Sequence, residues 1–234
     1  MSRLTNAVYH QLARRGFVVR RHPAVRRQRQ FEATGIDVAL DVGAARGHWG
    51  RELRDFGFTG RIVSFEPIAA PYADLVAASA GDPTWDTRNA ALGDVAGQQQ
   101  INVASNSDSS SLLPMAEQHR EAAPDIAYVG AETITVERLD DIADEYLAAD
   151  ARAFLKVDTQ GFERAVLTGA EATLPRIRGL QLEVSFVTLY EGGMLADEAI
   201  SWAYDHGFVL TGIDQGFADP GGAILQADAI FFRP

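Results

Sequence analysis

From residue 36 onward, short apolar runs alternate along the chain with amphipathic segments of helical periodicity. Elements that alternate in this way form βαβ units, in which parallel strands make one sheet and helices cover both of its faces. The apolar runs predict strands over residues 36–42, 61–65, 84–90, 153–157, 179–187, 208–213 and 227–232. The amphipathic segments predict helices over residues 48–58, 71–80, 139–148, 163–168 and 197–206. We therefore predict an α/β fold with a doubly wound, mostly parallel sheet.

Two parts of this domain depart from the βαβ pattern. The last two strands are joined by residues 214–225, a loop rich in Gly, Asp and Pro, so they are expected to form a C-terminal antiparallel hairpin. Between the third and fourth strands, residues 98–105 and 133–138 alternate like exposed strands and enclose the polar run 106–111. We interpret this part as a β-rich insertion that carries a flexible polar loop.

The start of the chain has a different character. Val8, Leu12 and Phe17 recur at roughly helical spacing, and Pro23 is expected to break the helix before a second basic stretch. Residues 1–35 are thus predicted to be a helical N-terminal arm, followed by one domain that spans residues 36–234.

The charge of the chain is unevenly distributed. The first 35 residues hold eight of the 21 basic residues but only one of the 32 acidic residues. With a net charge of −11 for the whole chain, the remaining domain is strongly acidic, which disfavours nucleic acid as a partner. The arginines of the arm are interpreted as a solvated helical face. Peripheral contact with a phospholipid surface or an anionic substrate carrier is the alternative.

Composition also limits the compartment and the metal chemistry. The chain has no cysteine, which excludes disulfides and thiolate-ligated zinc and fits a reducing compartment. Neither a signal-peptide pattern nor an apolar run of membrane-spanning length is recognisable, so a cytoplasmic location is expected.

A glycine-containing turn follows the first predicted strand. Gly43, Gly47 and Gly50 lie in the sequence DVGAARGHWG, between that strand and the next predicted helix. Glycines at such a turn let the backbone approach a ligand closely. The spacing is not the GxGxxG of dinucleotide sites, and no Lys-Ser or Lys-Thr pair completes a phosphate-binding loop. By itself the turn does not identify its ligand.

Acidic residues occur where four of the predicted strands end, namely Asp41, Glu66, Asp158 and Glu183. Ligands of doubly wound sheets bind beyond the carboxyl ends of the strands. Glu66 follows the glycine turn by roughly 20 residues, the position of an acid that binds a ribose diol in NAD, FAD or S-adenosylmethionine (SAM) sites. Asp41 is suited to bind a ligand ammonium directly or through water. An acidic rim favours a sulfonium over a pyrophosphate, and hence SAM.

Seven segments together resemble the FkbM-type methyltransferases. They are DVGAARG at 41–47, SFEP at 64–67, SSSL at 109–112, VERLDD at 136–141, LKVDTQGFE at 155–163, LEVS at 182–185 and LYEG at 189–192. The resemblance spans residues 36–232, and the segment 155–163 is its most specific part. One departure is Ala45, where the family commonly has Asn.

This resemblance implies a SAM-dependent O-methyltransferase with a seven-stranded class I sheet. Members of the family methylate hydroxyls of sugars, polyketides and related natural products. The implied acceptor is a small hydroxylated molecule, with a sugar in a glycoside, glycolipid or natural product as the preferred choice. By similarity, the cofactor-binding residues are Asp41, Gly43, Ala44, Gly47, Glu66, Asn89 and Ala90, the last two near the adenine.

Methyl transfer to an alcohol requires alignment of donor and acceptor and removal of one proton. Asp158 is our candidate for the general base or for a residue that positions it. Alternatively, Asp158 and Glu183 bind a divalent cation such as Mg²⁺ or Mn²⁺ that acidifies the hydroxyl. Lys156 either neutralises a neighbouring carboxylate or acts as the base itself if burial lowers its pKa.

Further candidates lie near the expected acceptor site. His48 follows the glycine turn, Ser110 lies in a serine run that could fold over the acceptor, and Tyr190 could stack on a sugar ring. Each also has a purely structural interpretation, and Glu163 is interpreted first as a helix cap. A homodimer is left open.

Two rival functions have distinct signatures. A nucleotide-dependent oxidoreductase would bind NAD(P) in place of SAM, although the missing GxGxxG counts against it. A non-catalytic SAM-binding or scaffold protein would bind the cofactor without turnover.

Overall fold

The computed structural model describes residues 10–17 and 21–234. Its strands are β1 (Val38–Val42), β2 (Arg61–Phe65), β3 (Trp85–Arg88), β4 (Ala91–Leu92), β5 (Gly97–Ala104), β6 (Tyr128–Glu137), β7 (Ala153–Val157), β8 (Ile177–Ser185), β9 (Val209–Gln215) and β10 (Gln226–Phe232). The main sheet has seven strands in the order β3-β2-β1-β7-β8-β10-β9, and a second sheet has the order β4-β6-β5.

Helices connect most of these strands. They are α1 (Pro23–Thr34), α2 (His48–Asp55), α3 (Ala69–Ser79), α4 (Glu117–Ala122), α5 (Leu139–Ile142), α6 (Glu163–Thr168) and α7 (Ala196–Asp205), with 3₁₀ turns at Ala143–Glu145 and Leu174–Arg176. Residues 10–14 are also helical. Short helix α4, inside the insertion, was not predicted from the sequence.

Pairing in the main sheet confirms the doubly wound prediction. Strand β1 pairs in parallel with β2 and β7, β2 pairs in parallel with β3, and β7 pairs in parallel with β8. Strand β10 runs antiparallel to both β8 and β9, which is the predicted C-terminal hairpin. All five residues of β1 and of β7 are buried, as expected for central strands covered on both faces. The carboxyl ends of the parallel strands therefore meet at one edge.

Several element boundaries differ from the prediction, most clearly at two places. The strand expected over residues 84–90 ends at Arg88 as β3, because the Asn89 side chain donates hydrogen bonds to the backbone oxygens of Glu66 and Pro67 and turns the chain, and β4 then follows in the second sheet. The helix expected over residues 139–148 is α-helical only to Ile142 and then tightens into the 3₁₀ turn.

The predicted insertion is β-rich. Strands β5 and β6 pair antiparallel, and β4 pairs in parallel with β6. Ile101, Ile134 and Val136 are buried on one face of this small sheet and pack against Ile68. The insertion is thereby fixed beside the carboxyl edge of the main sheet, and the polar run 106–111 lies at that edge.

Helix α1 begins at Pro23, where the sequence predicted a break. Proline is favoured in the first turn of a helix, since the N–H that it lacks would have no helical acceptor there. The buried side chain of Phe31 packs in an apolar cluster with Phe58 and Phe154. Of the residues that suggested a helix further upstream, Phe17 is exposed, and Val8 lies outside the described residues. The domain boundary at residue 35 remains a prediction.

Two arginines of α1 bind acidic groups of the same chain. Arg26 Nη2 lies 2.7 Å from Asp214 Oδ2. Arg27 is buried, pairs with Glu52, and places its guanidinium 5.3 Å from the ring centroid of Trp49. Of the two, the buried Arg27 does not belong to a solvated basic face, whereas 41% of the Arg26 side chain is exposed. Within residues 10–17 and 21–234, no helix is both long enough and apolar enough to cross a bilayer.

The burial of Phe31 makes a prediction about α1. Phe31→Ala should lower the free energy of unfolding by about 3–5 kcal/mol, because it removes a buried aromatic side chain and leaves a cavity against Phe58 and Phe154. Phe17→Ala is the matched control and should change it by less than about 0.5 kcal/mol, since Phe17 is 62% exposed. Urea denaturation measures both values. Equal costs for the two variants would show that α1 is not part of the cooperative unit.

Candidate active site

The glycine turn is pressed against the end of β7. Gly43 has a φ of 78°, and a Cβ at this position would lie 1.8 Å from the carbonyl oxygen of Asp158. The backbone N–H groups of Gly43 and Ala44 both donate to the carbonyl of Phe65, at 3.1 and 3.0 Å. The turn is thus fixed between β2 and β7, and only glycine fits at its first position.

Glu66 holds the same turn from the end of β2. Its Oε2 accepts a hydrogen bond from the N–H of Ala45 and its Oε1 accepts one from the N–H of Ile68, both at 2.9 Å. Burial raises the pKa of Glu66 to about 7, although the two backbone donors and the ammonium of Lys156 partly oppose this effect. Glu66 therefore changes protonation state near neutral pH.

Lys156, the only lysine of the chain, joins the turn to two of the strand-end acids. Its Nζ donates to the carbonyl of Gly43 at 2.9 Å and lies 3.1 Å from Asp41 Oδ1 and 3.4 Å from Asp158 Oδ2. Burial alone would lower the pKa of Lys156, but the two carboxylates outweigh burial and raise it. Lys156 thus stays an ammonium, which favours the neutralising interpretation over that of a base.

Asp158 and Glu183 share one hydrogen-bond donor. Nε2 of Gln160 lies 2.9 Å from Asp158 Oδ1 and 2.7 Å from Glu183 Oε2. Nε2 of Gln226 also donates to Glu183 Oε2, at 2.9 Å. Burial and the negative charge of Asp158 raise the pKa of Glu183 well above its ordinary value. Asp158, with 31% of its side chain exposed, and the partly buried Glu183 therefore interact closely, and Glu183 favours the protonated form.

This arrangement does not match the donor set of a divalent cation. Mg²⁺ requires oxygen ligands, whereas the position between Asp158 and Glu183 is filled by the amide N–H₂ group of Gln160. Among residues 10–17 and 21–234, no three His, Asp or Glu side chains are grouped to hold a metal ion. The hypothesis of a Mg²⁺ or Mn²⁺ ion bound by these two carboxylates is not supported.

A cavity of about 370 Å³ lies between the glycine turn, the ends of β2, β7 and β8, and the polar run 106–111. The predicted site residues that line it are Gly43, Ala44, His48, Glu66, Ser110, Lys156, Asp158 and Glu183. The other predicted site residues do not appear in its wall, namely Asp41, Gly47, Asn89, Ala90 and Tyr190.

Two of the predicted cofactor residues outside the wall shape the turn and its surroundings. Asp41 is fully buried between Lys156 and the hydroxyl of Ser64, so it has no surface from which to contact a ligand directly. Gly47 has a φ of 77° and caps the start of α2. Both residues support the backbone of the turn.

The remaining three also act from behind the wall. Asn89 fixes the loop that carries Glu66, and Ala90 is buried beside it. Tyr190 is 2% exposed, and its hydroxyl donates toward Gln160 Oε1 at 2.8 Å and toward the carbonyl of Ser109 at 3.1 Å. Stacking of Tyr190 on a sugar is therefore not available in this arrangement.

Sequence reasoning missed Gln160 and Gln226. Gln160 lies within the most specific segment of the resemblance, but a neutral amide carries no charge or spacing signal. Gln226 begins β10 and reaches Glu183 only because β10 pairs with β8. Glu163 agrees with its interpretation as a cap, because its Oε1 accepts hydrogen bonds from the N–H groups of Thr159 and Gly161.

The close approach at Gly43 can be tested by stability. Gly43→Ala should lower the free energy of unfolding by roughly 3 kcal/mol or more, because the new methyl group meets a backbone oxygen that cannot rotate away. Gly57→Ala is the matched control: Gly57 has a φ of 96° but open space around it, so only the backbone penalty of about 1–2 kcal/mol is expected. Urea denaturation of both variants decides the point. A cost at Gly43 no larger than that at Gly57 would contradict the contact.

Comparison with solved structures gives distant similarities. An uncharacterized protein from Listeria monocytogenes serotype 4b is 10% identical, with 85% of this chain and 62% of that chain covered and a TM-score of 0.48. This chain thus spans less than two thirds of that protein's length. Fibrillarin from Aeropyrum pernix with natively bound SAM is 14% identical, with 83% and 66% covered and a TM-score of 0.47. An rRNA methylase from Streptococcus thermophilus is 11% identical, with 93% and 99% covered and a TM-score of 0.48.

No curated protein sequence matches the chain. Comparison with models of protein families is more decisive. The model of the methyltransferase FkbM domain matches residues 41–210, which include the glycine turn, Glu66, Asp158 and Glu183. This match confirms the resemblance drawn from the seven sequence segments. The chain therefore belongs to the FkbM methyltransferase domain family.

Proposed function

We propose that this protein transfers the methyl group of SAM to a hydroxyl of a small acceptor, with a sugar hydroxyl as the preferred target. The observation that carries the proposal is the position of Asp158. Asp158 follows β7 at the cavity wall, and 31% of its side chain is exposed. Its Oδ2 lies against the ammonium of Lys156. A carboxylate held in this way can accept the proton that an alcohol must lose.

The residues of the cavity fit SAM. Glu66 presents a buried carboxylate at the position expected to bind a ribose diol, next to the backbone of Gly43 and Ala44. When bound, SAM supplies an electrophilic methyl group.

The side chains of this chain then have separate tasks. Asp158 accepts the hydroxyl proton of the acceptor as the oxygen–methyl bond forms and the sulfur–methyl bond breaks, with the neutral thioether S-adenosylhomocysteine as the leaving group. Glu183 favours its protonated form and limits the negative charge beside Asp158, so that only one carboxylate of the pair needs to be ionised. Lys156 balances the charges of Asp158 and Asp41 without entering the reaction.

A small hydroxylated acceptor is favoured over nucleic acid on electrostatic grounds. The chain has a net charge of −11, and the carboxylates of Asp108 and Asp158 line the cavity together with Glu66. Such a wall repels a phosphate backbone. Polar side chains next to the ring of Trp49 offer the mixture of hydrogen bonds and apolar surface that a sugar ring uses.

The role of Glu66 predicts a pH dependence of cofactor binding. Because burial raises the pKa of Glu66 to about 7, the carboxylate is largely ionised at pH 8 and largely protonated at pH 6. Hydrogen bonds from hydroxyls to a carboxylate are stronger than those to a neutral carboxyl, so the Kd for SAM should rise about fivefold from pH 8 to pH 6.

Isothermal titration calorimetry with SAM measures this dependence. The control is Glu66→Gln, which should bind SAM more weakly at both pH values and lose the difference between them. An equal pH dependence in wild type and Glu66→Gln would assign the titration to another group and contradict the proposed ribose contact.

The base proposal is tested by turnover. Purified protein is incubated with SAM and a panel of glycosides, and the methylated product is detected by mass spectrometry. Asp158→Asn should keep SAM affinity within about twofold but lower turnover by roughly 10²- to 10⁴-fold, because it removes the proton acceptor. Asp205→Asn changes an exposed carboxylate at the end of α7 and should behave as wild type.

Each failure has a separate meaning. SAM binding without methylation of any glycoside would contradict a sugar acceptor and favour the non-catalytic binding protein. Turnover by Asp158→Asn within tenfold of wild type would contradict the assignment of Asp158 as the base.

A further inference from the structure

Backbone strain is concentrated at the cavity. In the described part of the chain, only three non-glycine residues have a positive φ: Ala45 at 46°, Ser107 at 60° and Gln160 at 55°. All three line the cavity. A left-handed conformation is unfavourable for residues with a Cβ and persists where surrounding contacts impose it, commonly at functional sites. Gln160 is the one of the three whose side chain reaches the carboxylate pair.

The side chain of Gln160 is held at both ends. Its Nε2 donates to Asp158 and to Glu183, and its Oε1 accepts the hydroxyl hydrogen of Tyr190 at 2.8 Å. A phenolic hydroxyl has one hydrogen, which either Gln160 Oε1 or the carbonyl of Ser109 can accept, so Tyr190 alone does not set the amide orientation. The carboxylate pair sets it, with nitrogen toward Asp158 and Glu183 and oxygen toward Tyr190, because a carboxylate oxygen accepts hydrogen bonds.

From this geometry we propose that Gln160 is a positioning residue for methyl transfer, which holds the carboxylates of Asp158 and Glu183 side by side, and that Tyr190 fixes its amide from behind the cavity wall. The inference deepens the proposed function and rests on it for its catalytic part. Gln160 neither receives the proton nor contacts the methyl group.

The two close carboxylates keep one arrangement because neighbouring side chains hold their oxygens. Asp158 is held through Oδ2 by Lys156 and through Oδ1 by Gln160. Glu183 is held through Oε2 by Gln160 and Gln226. Without the shared donor, Asp158 keeps only its contact with Lys156 and Glu183 only its contact with Gln226, so each carboxyl group can rotate away from the other. An error of about 1 Å in the position of a reacting group is enough to lower a rate about 100-fold.

The same two residues also hold the polar run of the insertion. The hydroxyl of Ser111 donates to the backbone carbonyl of Gln160 at 2.7 Å, and Tyr190 contacts the carbonyl of Ser109. The wall on the insertion side and the carboxylate pair are thus attached to one unit. Substitution of Gln160 or Tyr190 should therefore affect the catalytic step more than cofactor binding, since Glu66 follows β2 and the glycine turn follows β1.

Kinetics of three variants test the positioning role with the best glycoside acceptor. Gln160→Asn keeps an amide and tolerates the left-handed backbone, but its side chain is too short to reach both carboxylates. Gln160→Glu keeps the length and the acceptor for Tyr190 but loses the donor. Both variants should lower kcat roughly 10- to 100-fold, with KM and SAM affinity changed by less than about threefold. Tyr190→Phe should lower kcat in the same manner.

The decisive comparison is the double variant. Because Tyr190 acts through Gln160, Gln160→Asn combined with Tyr190→Phe should lose no more activity than Gln160→Asn alone. Tyr72→Phe removes a hydroxyl that approaches Thr87 and should behave as wild type. Additive losses in the double variant, or kcat values of the Gln160 variants within threefold of wild type, would overturn the proposal.

A spectroscopic measurement tests the geometry without an acceptor. In a proton–nitrogen correlation spectrum, the side-chain amide of Gln160 is identified by its loss in Gln160→Glu. Its protons should exchange with solvent more slowly than those of an exposed glutamine such as Gln118, and their resonances should shift in Tyr190→Phe but not in Tyr72→Phe. Fast exchange and no shift would overturn the inference. Slow exchange in a protein that methylates no glycoside would leave the hydrogen-bonded unit intact and refute only the proposed acceptor.

Discussion

The buried ammonium of Lys156 is the interaction on which the rest of the site depends. It contacts three oxygens, from Asp41 at the end of β1, from Asp158 after β7 and from the carbonyl of Gly43. Without this cation, the fully buried Asp41 would be an uncompensated charge in the central strand, at a cost of about 3–5 kcal/mol. A compact ammonium with three donors suits these convergent oxygens better than a planar guanidinium. This explains why a chain that otherwise uses arginine has its lysine here.

The uneven charge of the sequence has a structural counterpart at the carboxyl edge of the sheet. Across β8, β10 and β9, Glu183 is in register with Asp228, and Asp228 with Asp214. Burial and the charge of Asp158 raise the pKa of Asp228. Arg26 binds Asp214 at the outer end of this row. The basic helix α1 thus neutralises part of the acidic edge outside the cavity, while the edge inside the cavity keeps its negative charge.

The sequence predicted those features that depend on periodicity and on strand ends. Buried parallel strands such as β1 and β7 are continuous apolar runs, and their carboxyl ends share one edge, so Asp158 and Glu66 could be assigned to one cavity. The roles of Gln160 and Tyr190 could not be predicted, because they depend on a left-handed backbone and on contact with the insertion. The helix that begins at Pro23 was not predicted, because a proline is compatible both with the end of one helix and with the start of another, and it is packing of Phe31 that stabilises α1.

Ala45 shows how tertiary contacts replace a local preference. The family commonly has Asn at this position, a residue that tolerates the left-handed conformation better than Ala does. Ala45 nevertheless adopts a φ of 46°, while its N–H donates to Glu66 and the neighbouring Ala44 donates to the carbonyl of Phe65. The end of β2 therefore imposes the conformation that an Asn would favour by itself. Since the same carboxylate is expected to bind the ribose, the shape of the turn and the affinity for the cofactor depend on one buried group.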